Sequence, residues 1–347
     1  MIYLYLVLFT LFSFSPLHAV EDTIELISNH PINAENLNNA LSRNNIPLKV
    51  FIGDLNKHGN ALKKNRTQLG HYLRKFSLDL PLKAPVDKSI SKIIFYNVDR
   101  DYKRFTIHKF PKDKMILFMW EPPCVLRQMY STKTASWFSK VYTWDDDLVD
   151  NTTHFKFYYP VMQPMIETLP SFEEKKLCTL VSSDLASKHP NELYSERRRV
   201  IAFFEKESNA DFEFYGRYWN PAEHPSYRGT IEDKINTIKN YRFSICYENS
   251  THIKGYITEK IFDCFAAGNV PIYWGAINIE DYIPKNCYID RRDFQSTEEV
   301  YAFIKGIDKE QYEQYLFHIR NFLKSAEAQL FSGAQFEKIF CDAVKGL

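Results

Sequence analysis

The feature that most constrains this chain is a series of short, uninterrupted apolar runs, set far enough apart for a helix to fit between neighbours. In the first half they are PLKVFIG at 47–53, KIIFYNV at 92–98, MILFMW at 115–120 and KVYTW at 140–144. A strand with one face in water alternates apolar and polar residues, whereas a strand covered on both faces is apolar throughout. These runs therefore predict parallel strands joined by crossover helices, an α/β unit. The second half repeats the alternation with LCTLVSS at 177–183, a helix over 194–207, DFEFYG at 211–216, a helix over 231–239, RFSICYE at 242–248, a helix over 257–267 and NVPIYWG at 269–275. Between the halves, residues 159–172 (YPVMQPMIETLPSF) carry Pro160, Pro164 and Pro170. Proline lacks the N–H that regular structure needs, so a linker is expected here, dividing the chain into domains at 20–163 and 164–347. Beyond Asp293 the apolar spacing changes to three and four residues, as in YEQYLFHIRNFLKSAEAQLF, which predicts C-terminal helices laid on the sheets. Two doubly wound domains facing each other leave a cleft at the carboxyl ends of their strands, where ligands of such sheets bind.

Charge and composition exclude several partners. Lys+Arg is 44 against 43 for Asp+Glu, a net charge of +1, so nothing attracts a nucleic acid at long range. The 27 Phe, 22 Tyr and 5 Trp fill cores and leave rings able to stack on sugars. Neither GxSxG nor HExxH occurs, which argues against the hydrolases that use them. Cys124, Cys178, Cys246, Cys264, Cys287 and Cys341 form no CxxC pair and have no close His, so no zinc site is indicated. An even count behind an export signal permits disulfides, but cysteines inside apolar runs such as FSICYEN act as small buried hydrophobes, and mostly free thiols are expected. Residues 1–14 are almost wholly apolar, followed by SPLHA and a charged VED. Residues 1–19 thus read as a signal peptide or signal anchor, Ala19 ending an imperfect cleavage signal, and imply a membrane-associated or secretory route.

The most informative stretch is YRFSICYENSTHIKGYITEKIFDCFAAGNVPIYWGA at 241–276, which reads strand, loop, helix, strand. With a helix from Tyr256 onward, the 100° step places Tyr256, Glu259, Lys260 and Asp263 on an open face and Ile257, Ile261, Cys264 and Phe265 on a core face. Gly268 would close the helix with φ > 0. Free N–H groups and the helix dipole at such an N-terminus favour an anion, and Lys260 adds a full positive charge, so a diphosphate fits. Glu259 can accept hydrogen bonds from a ribose hydroxyl pair.

The string YENSTHIKGYITEKIFDCFAAGNVPIYWG resembles the signature of the α-1,3/1,4-fucosyltransferase family, a [FY]-E-N-S block, a Y-[IV]-T-E-K block and a G-x-[VI]-P-[IV] strand. The resemblance implies two Rossmann-like domains of GT-B type, GDP-fucose as donor, inversion at the anomeric carbon, and no required cofactor or essential metal. Carried over by position, Asn249, Tyr256, Glu259 and Lys260 match residues that hold the nucleotide and its phosphates. Lys234, seven residues before Tyr241, resembles a family lysine at the same spacing. In NELYSERRRVIAFFEKES one arginine should contact phosphate, and the spacing to Val200, Ile201 and Phe204 favours Arg197 over Arg198 and Arg199.

In the first domain MILFMWEPPCV ends an apolar strand at Glu121, similar to a family segment whose glutamate takes the acceptor proton; Pro122 departs from that pattern. One base opposite the leaving group suffices for an inverting transfer, and Glu121 is assigned that role. Asp145 and Asp147 form a D-x-D in TWDDDLVDN, discounted as a metal site because aspartates are common in turns. Of the sequons at Asn65, Asn151 and Asn249, the last lies inside the proposed site, so its glycosylation is not expected. The implied acceptor is a glycan on a glycoprotein, glycolipid or lipopolysaccharide, with α-1,3 linkage to a GlcNAc-type sugar, in the Golgi if eukaryotic. A related enzyme using another nucleotide sugar, or a non-catalytic glycan-binding protein of the same fold, are the competing readings.

Overall fold

The computed structural model of the protein describes residues 22–28, 34–46, 48–52, 90–98, 111–207 and 211–345, so the N-terminal apolar run and Asn65 lie outside it. Strands β1 (Asp22–Ser28), β2 (Leu48–Ile52), β3 (Ile90–Tyr96), β4 (Met115–Met119), β5 (Lys140–Thr143) and β6 (His154–Lys156) form one sheet in the order β2-β1-β3-β4-β5-β6. Strands β7 (Lys176–Val181), β8 (Phe212–Tyr215), β9 (Tyr241–Tyr247), β10 (Val270–Trp274) and β11 (Ile289–Asp290) form a second, in the order β11-β10-β9-β7-β8. Every pairing is parallel.

Strand β4 shows why the apolar runs become strands. All five of its residues are buried. Ile116 and Phe118 enter one core with Tyr96, Phe157 and Phe340, while Met115, Leu117 and Met119 enter another with Met129 and Phe138. The strand has protein on both faces and nothing to gain from a polar residue. Phe118 stacks on Tyr96 and Tyr142 at centroid distances of 5.3 and 4.7 Å. Strands β1, β6 and β11 were not expected: β1 (DTIELIS) alternates polar and apolar residues, and the other two are three and two residues long.

The longer helices are α1 (Ala34–Arg43), α2 (Tyr194–Glu207), α3 (Lys234–Ile238), α4 (Glu259–Ala266), α5 (Thr297–Gly306), α6 (Lys309–Leu323) and α7 (Gly333–Lys345). The C-terminal helices divide between the sheets. Tyr312, Leu316 and Ile319 of α6 join the core of the second sheet, whereas Phe336, Phe340, Cys341, Ala343 and Val344 of α7 join Ile94 and Phe118 under the first. The end of the chain thus completes the N-terminal lobe, with Arg43 on α1 pairing Glu337 on α7 at 2.6 Å. All six cysteines are free thiols, five of them buried.

A polar joint locks the lobes together. The Asp146 carboxylate accepts hydrogen bonds from Lys156 Nζ (2.5 Å), the Tyr282 hydroxyl (2.7 Å) and Asn278 Nδ2 (3.0 Å), and Asn278 Oδ1 accepts from the Gly255 N–H at 2.9 Å. Gly255 has φ +74°, and a Cβ there would lie 2.4 Å from the Trp144 carbonyl oxygen and 2.6 Å from Lys156 Nζ. Left-handed backbone costs an L-residue about 1–2 kcal/mol and overpacking about 1–3 kcal/mol more. Gly255→Ala is therefore expected to destabilise the protein by roughly 3 kcal/mol in denaturant unfolding; an unchanged midpoint would show that this joint is not rigid.

Candidate active site

In the second sheet the chain passes from β7 to its neighbour β8 and then crosses to β9 on the opposite side of β7. The connections diverge between β7 and β9, and a crevice opens at such a switch point beyond the carboxyl ends of the strands. Ser182 follows β7, and Glu248 and Asn249 follow β9. Arg197 on α2 spans the gap: Nη1 donates to Ser182 Oγ (3.3 Å), and Nη2 donates to the Tyr247 carbonyl (2.6 Å) and Asn249 Oδ1 (3.0 Å). The guanidinium is 5% exposed, and its burial lowers its pKa. Its three acceptors are neutral. Its neighbours point elsewhere, Arg198 to Asp184 at 2.6 Å and Arg199 to Glu196 on the surface.

The helix carrying the signature starts later than its sequence periodicity predicts. Thr258 is the N-cap, its hydroxyl accepting the Lys260 N–H, and α4 begins at Glu259 and is closed by Gly268 at φ +58°. The left-handed turn at Gly255 and the Thr258 cap keep Tyr256 out of the helix. The open face joining Tyr256 to Glu259, Lys260 and Asp263 therefore does not form. Tyr256 is 2% exposed and inserts into the N-terminal lobe, its ring 4.5 Å from Trp144 and 6.4 Å from Tyr159. Burial, followed by the charge of nearby acidic groups, raises its phenol well above the usual range.

Lys260 stands at the mouth of the crevice. Its Nζ donates to Glu248 Oε2 (3.0 Å) and Thr258 Oγ1 (3.1 Å) and lies 3.5 Å from Glu259 Oε1. Burial opposes this charge, but Glu248 and Glu259 more than offset it and raise the ammonium pKa. Glu248 is completely buried and also accepts from the Thr258 N–H (2.9 Å) and hydroxyl (2.8 Å). Lys234, at the start of α3, pairs with Asp263 at 2.8 Å. For Glu259, half exposed, partial burial works against ionisation while Lys260 and Lys234 hold its carboxyl at about 2. Lys234 and Lys260 also line one small cavity with Ser244, Cys246 and Tyr247.

Across the cleft, Glu121 follows β4. Its backbone is tightly fixed: Asn97 Oδ1 accepts the N–H groups of Trp120 (2.7 Å) and Glu121 (2.9 Å), Tyr130 donates to the Glu121 carbonyl (2.9 Å), and the Trp120 carbonyl accepts from Trp144 Nε1 (3.2 Å) and from the Tyr159 hydroxyl. The lobes meet beside it, where Cys124 Sγ donates to the Asn249 carbonyl at 3.3 Å. The negative charge of Glu121, added to burial, raises the phenols of both Tyr159 and Tyr256, which places its carboxylate within electrostatic reach of the interface. Glu248 and Asn97 were not singled out from sequence. Glu248 lay within the signature, and Asn97 interrupts the apolar run of KIIFYNV just past the end of β3, held at φ +67°.

The aspartates of TWDDDLVDN have separate tasks. Asp146 belongs to the joint, Asp147 pairs with Lys254 at 2.7 Å, and Asp145 accepts the Asp147 N–H at 3.1 Å. Asp145 is 8% exposed, and burial pushes its carboxyl up to about 6 from 3.8. The unfolded chain ionises first, so stability is lost as pH rises from about 4 to about 6. Asp145→Asn keeps the acceptor and removes the charge. It is expected to stabilise the protein by about 3 kcal/mol at pH 7 and by almost nothing at pH 3, read as the shift in unfolding free energy at each pH.

Residues 172–347 match the family described as glycosyltransferase family 10 (fucosyltransferase), C-terminal part. The chain is 33% identical over 150 residues to the mouse (Mus musculus) 4-galactosyl-N-acetylglucosaminide 3-alpha-L-fucosyltransferase 9, a match covering 42% of this chain and 36% of that protein. It is 35% identical over 96 residues to an alpha-(1,4)-fucosyltransferase of Arabidopsis thaliana, covering 27% of this chain and 24% of the relative. The chain thus spans about a third or less of the length of these curated relatives. In fold it is similar to the crystal structure of an alpha1,3-fucosyltransferase with GDP, with a TM-score of 0.54 at 14% identity over 94% of this chain and 92% of the other. With two facing parallel α/β lobes of GT-B type and the family's C-terminal half, the chain belongs to the glycosyltransferase family 10 fucosyltransferases.

Proposed function

We propose that the protein transfers fucose from GDP-fucose, with inversion, to a hydroxyl of an acceptor glycan, forming an α-1,3 linkage to a GlcNAc-type sugar. One observation carries this reading: a buried arginine bridges the switch point of the second sheet with only neutral acceptors on its guanidinium, and Lys260 lies beside the same strand end. Glu248 acts on Arg197 only through space, so a diphosphate would supply a directly bonded countercharge, and Arg197 can grip its oxygens through a planar fork. Asn249 and Glu259 lie within the same strand-to-helix segment to take the nucleoside, Lys234 supports the charge of Glu259, and Tyr256 fixes that segment against the other lobe.

In the reaction, Glu121 accepts the proton of the acceptor hydroxyl as its oxygen forms a bond to the anomeric carbon. The bond from that carbon to the β-phosphate oxygen breaks, and GDP leaves with its charge offset by Arg197, Lys260 and the N–H groups at the start of α4. No cofactor or essential metal enters this scheme. The 3-alpha-L-fucosyltransferase relative, whose name specifies an N-acetylglucosaminide acceptor, supports the linkage. The apolar N-terminal segment would place the enzyme on a membrane or secretory route; among the described residues no helix is long and apolar enough to cross a membrane.

The test is an array of sugar nucleotides against glycan acceptors, reading released nucleotide and the anomeric configuration of the product. GDP release that requires both GDP-fucose and an acceptor is expected. Turnover of a different sugar nucleotide with GDP-fucose inert would overturn the donor assignment.

A further inference from the structure

A pocket of about 580 Å³ lies between α5 and α6, away from the cleft. The strand directions place it. Strands β9, β10 and β11 are parallel, and Glu248 and Asn249 follow the carboxyl end of β9. Asn286, in the turn Lys285–Cys287, precedes β11 and so sits at the amino end of that strand. Helix α5 starts beyond β11 and runs back, which brings Gly306 and Ile307 at its close to the same amino end. Asn286, Gly306 and Ile307 all line the pocket, so it opens at the opposite end of the sheet from the switch point.

Its walls come from two helices and a turn, with no strand edge to pair the backbone of a peptide. Gln311, Gln314, Tyr315 and His318 recur at three and four residues and share one stripe of α6. Phe303 lines the pocket from α5, 42% exposed although its ring rests on Phe294 at 5.2 Å, and Tyr315 packs against the core of the second sheet. Both rings are therefore held in place before any ligand arrives. No carboxylate, ammonium or guanidinium lines the pocket, and Lys285, next to Asn286, pairs with Asp293 at 2.9 Å and Asp290 at 3.3 Å. Hydrogen-bonding capacity is nevertheless left over. Gln311 Oε1 accepts the Asp308 N–H at 3.1 Å, which leaves its NH2 group uncommitted, and Asn286 Oδ1 accepts only the Cys287 thiol at 3.7 Å. The Gln314 amide and the Tyr315 hydroxyl have no hydrogen-bond partner among the described residues.

These features select a ligand. An anion would find no cation here, and a hydrocarbon chain would desolvate the amides unpaired, at about 1–3 kcal/mol each. A sugar matches both parts of the lining: its C–H face can lie on an aromatic ring, whose π-face is negative, and each of its hydroxyls both donates and accepts. The volume suits one or two rings. We propose that this pocket is a second, non-catalytic site for a neutral saccharide, held on Phe303 and Tyr315 and hydrogen-bonded by Asn286, Gln311, Gln314 and His318. The site goes beyond the transferase reading and does not rest on it. Because it is remote from Glu121, the sugar it holds is not the one that receives fucose; on a polymer or a glycan-covered surface it would tether the enzyme and raise its local concentration.

The test is saturation-transfer NMR on the full chain with neutral trisaccharides of gluco, manno and galacto configuration, alongside inorganic sulfate and a short uncharged peptide. At least one trisaccharide is expected to bind, and sulfate and peptide are not. Phe303→Ala removes a stacking ring, whereas Gly306→Leu adds bulk to the lining without removing a contact, since a Cβ at Gly306 meets nothing within 4 Å. Each variant is expected to weaken the trisaccharide about tenfold at an unchanged thermal midpoint. A sugar bound in the cleft between the lobes would be insensitive to both. If Phe303→Ala does not fold, Gly306→Leu decides alone. Absence of binding by every trisaccharide, binding of the peptide or sulfate in their place, or a dissociation constant that the folded variants leave unchanged overturns the proposal. None of these readouts involves transfer, so their failure leaves the transferase reading standing, and an inactive enzyme that binds the trisaccharide leaves the pocket standing.

Discussion

Arg197→Ala is expected to weaken GDP binding about a hundredfold, whereas Arg198→Ala and Arg199→Ala change it less than about twofold. The three residues are consecutive on one helix, and their environments separate them. Arg198 and Arg199 form exposed ion pairs with Asp184 and Glu196, contacts that contribute at most about 1 kcal/mol. Arg197 is buried at the switch point and donates to the Tyr247 carbonyl, Asn249 Oδ1 and Ser182 Oγ. A hydrogen bond to a charged group contributes about 1.5–3 kcal/mol, and a bidentate grip on a diphosphate would combine two, so a hundredfold loss is a conservative outcome. Truncation also leaves the Tyr247 carbonyl without this donor, which costs about 1–3 kcal/mol of stability. Arg197→Gln separates the two effects, since its amide still donates to the carbonyl but carries no charge. A near-normal thermal midpoint with lost GDP affinity in Arg197→Gln is the expected result by calorimetry. An unchanged dissociation constant in that folded variant removes Arg197 from the phosphate site.

Much of the architecture was legible because the strands are covered on both faces. MILFMW and RFSICYE have no polar alternation to confuse with anything else, and β4 and β9 emerged almost residue for residue. Strand β1 lacks the continuous apolar run that marks β4 and β9, DTIELIS having instead the alternation of a strand covered on one face, and the two residues of β11 carry no period. Helix α7 shows a different limit. It falls in the stretch beyond Asp293 expected to be helical, but which lobe it covers depends on where the chain turns after Phe331, and no local pattern encodes that. Around the candidate site, charged residues at a strand-to-helix junction could be read from spacing. The path of Tyr256 could not: a helical wheel assumes the helix continues backwards, and Gly255 with the Thr258 cap stops it three residues short. Glu248 was equally opaque, since its importance comes from complete burial beneath Lys260. The switch point that gives Arg197 its meaning is a property of strand order, which appears only when the sheet is assembled.

Glu121→Gln is expected to lower the transfer rate by about a hundredfold to ten-thousandfold while leaving GDP affinity nearly unchanged. The amide has the size and shape of the carboxylate but cannot take the proton of an attacking hydroxyl. The backbone around it should not move, because its fixings come from other residues: Asn97 Oδ1 holds the Trp120 and Glu121 N–H groups, and the Tyr130 hydroxyl holds the Glu121 carbonyl. GDP binding is expected to survive because the residues assigned to the nucleotide lie on the opposite lobe, beyond β9 and on α2 and α4. Asn97→Ala makes an informative companion, since it leaves the carboxylate chemically intact and frees the strand end that carries it. Its expected effect is about tenfold, in kcat more than in KM, as a positioning residue should show. If Glu121→Gln turns over at the rate of the parent protein while Asn97→Ala is slow, the strand end still orients the acceptor but the proton leaves by another route, and Glu121 is not the base.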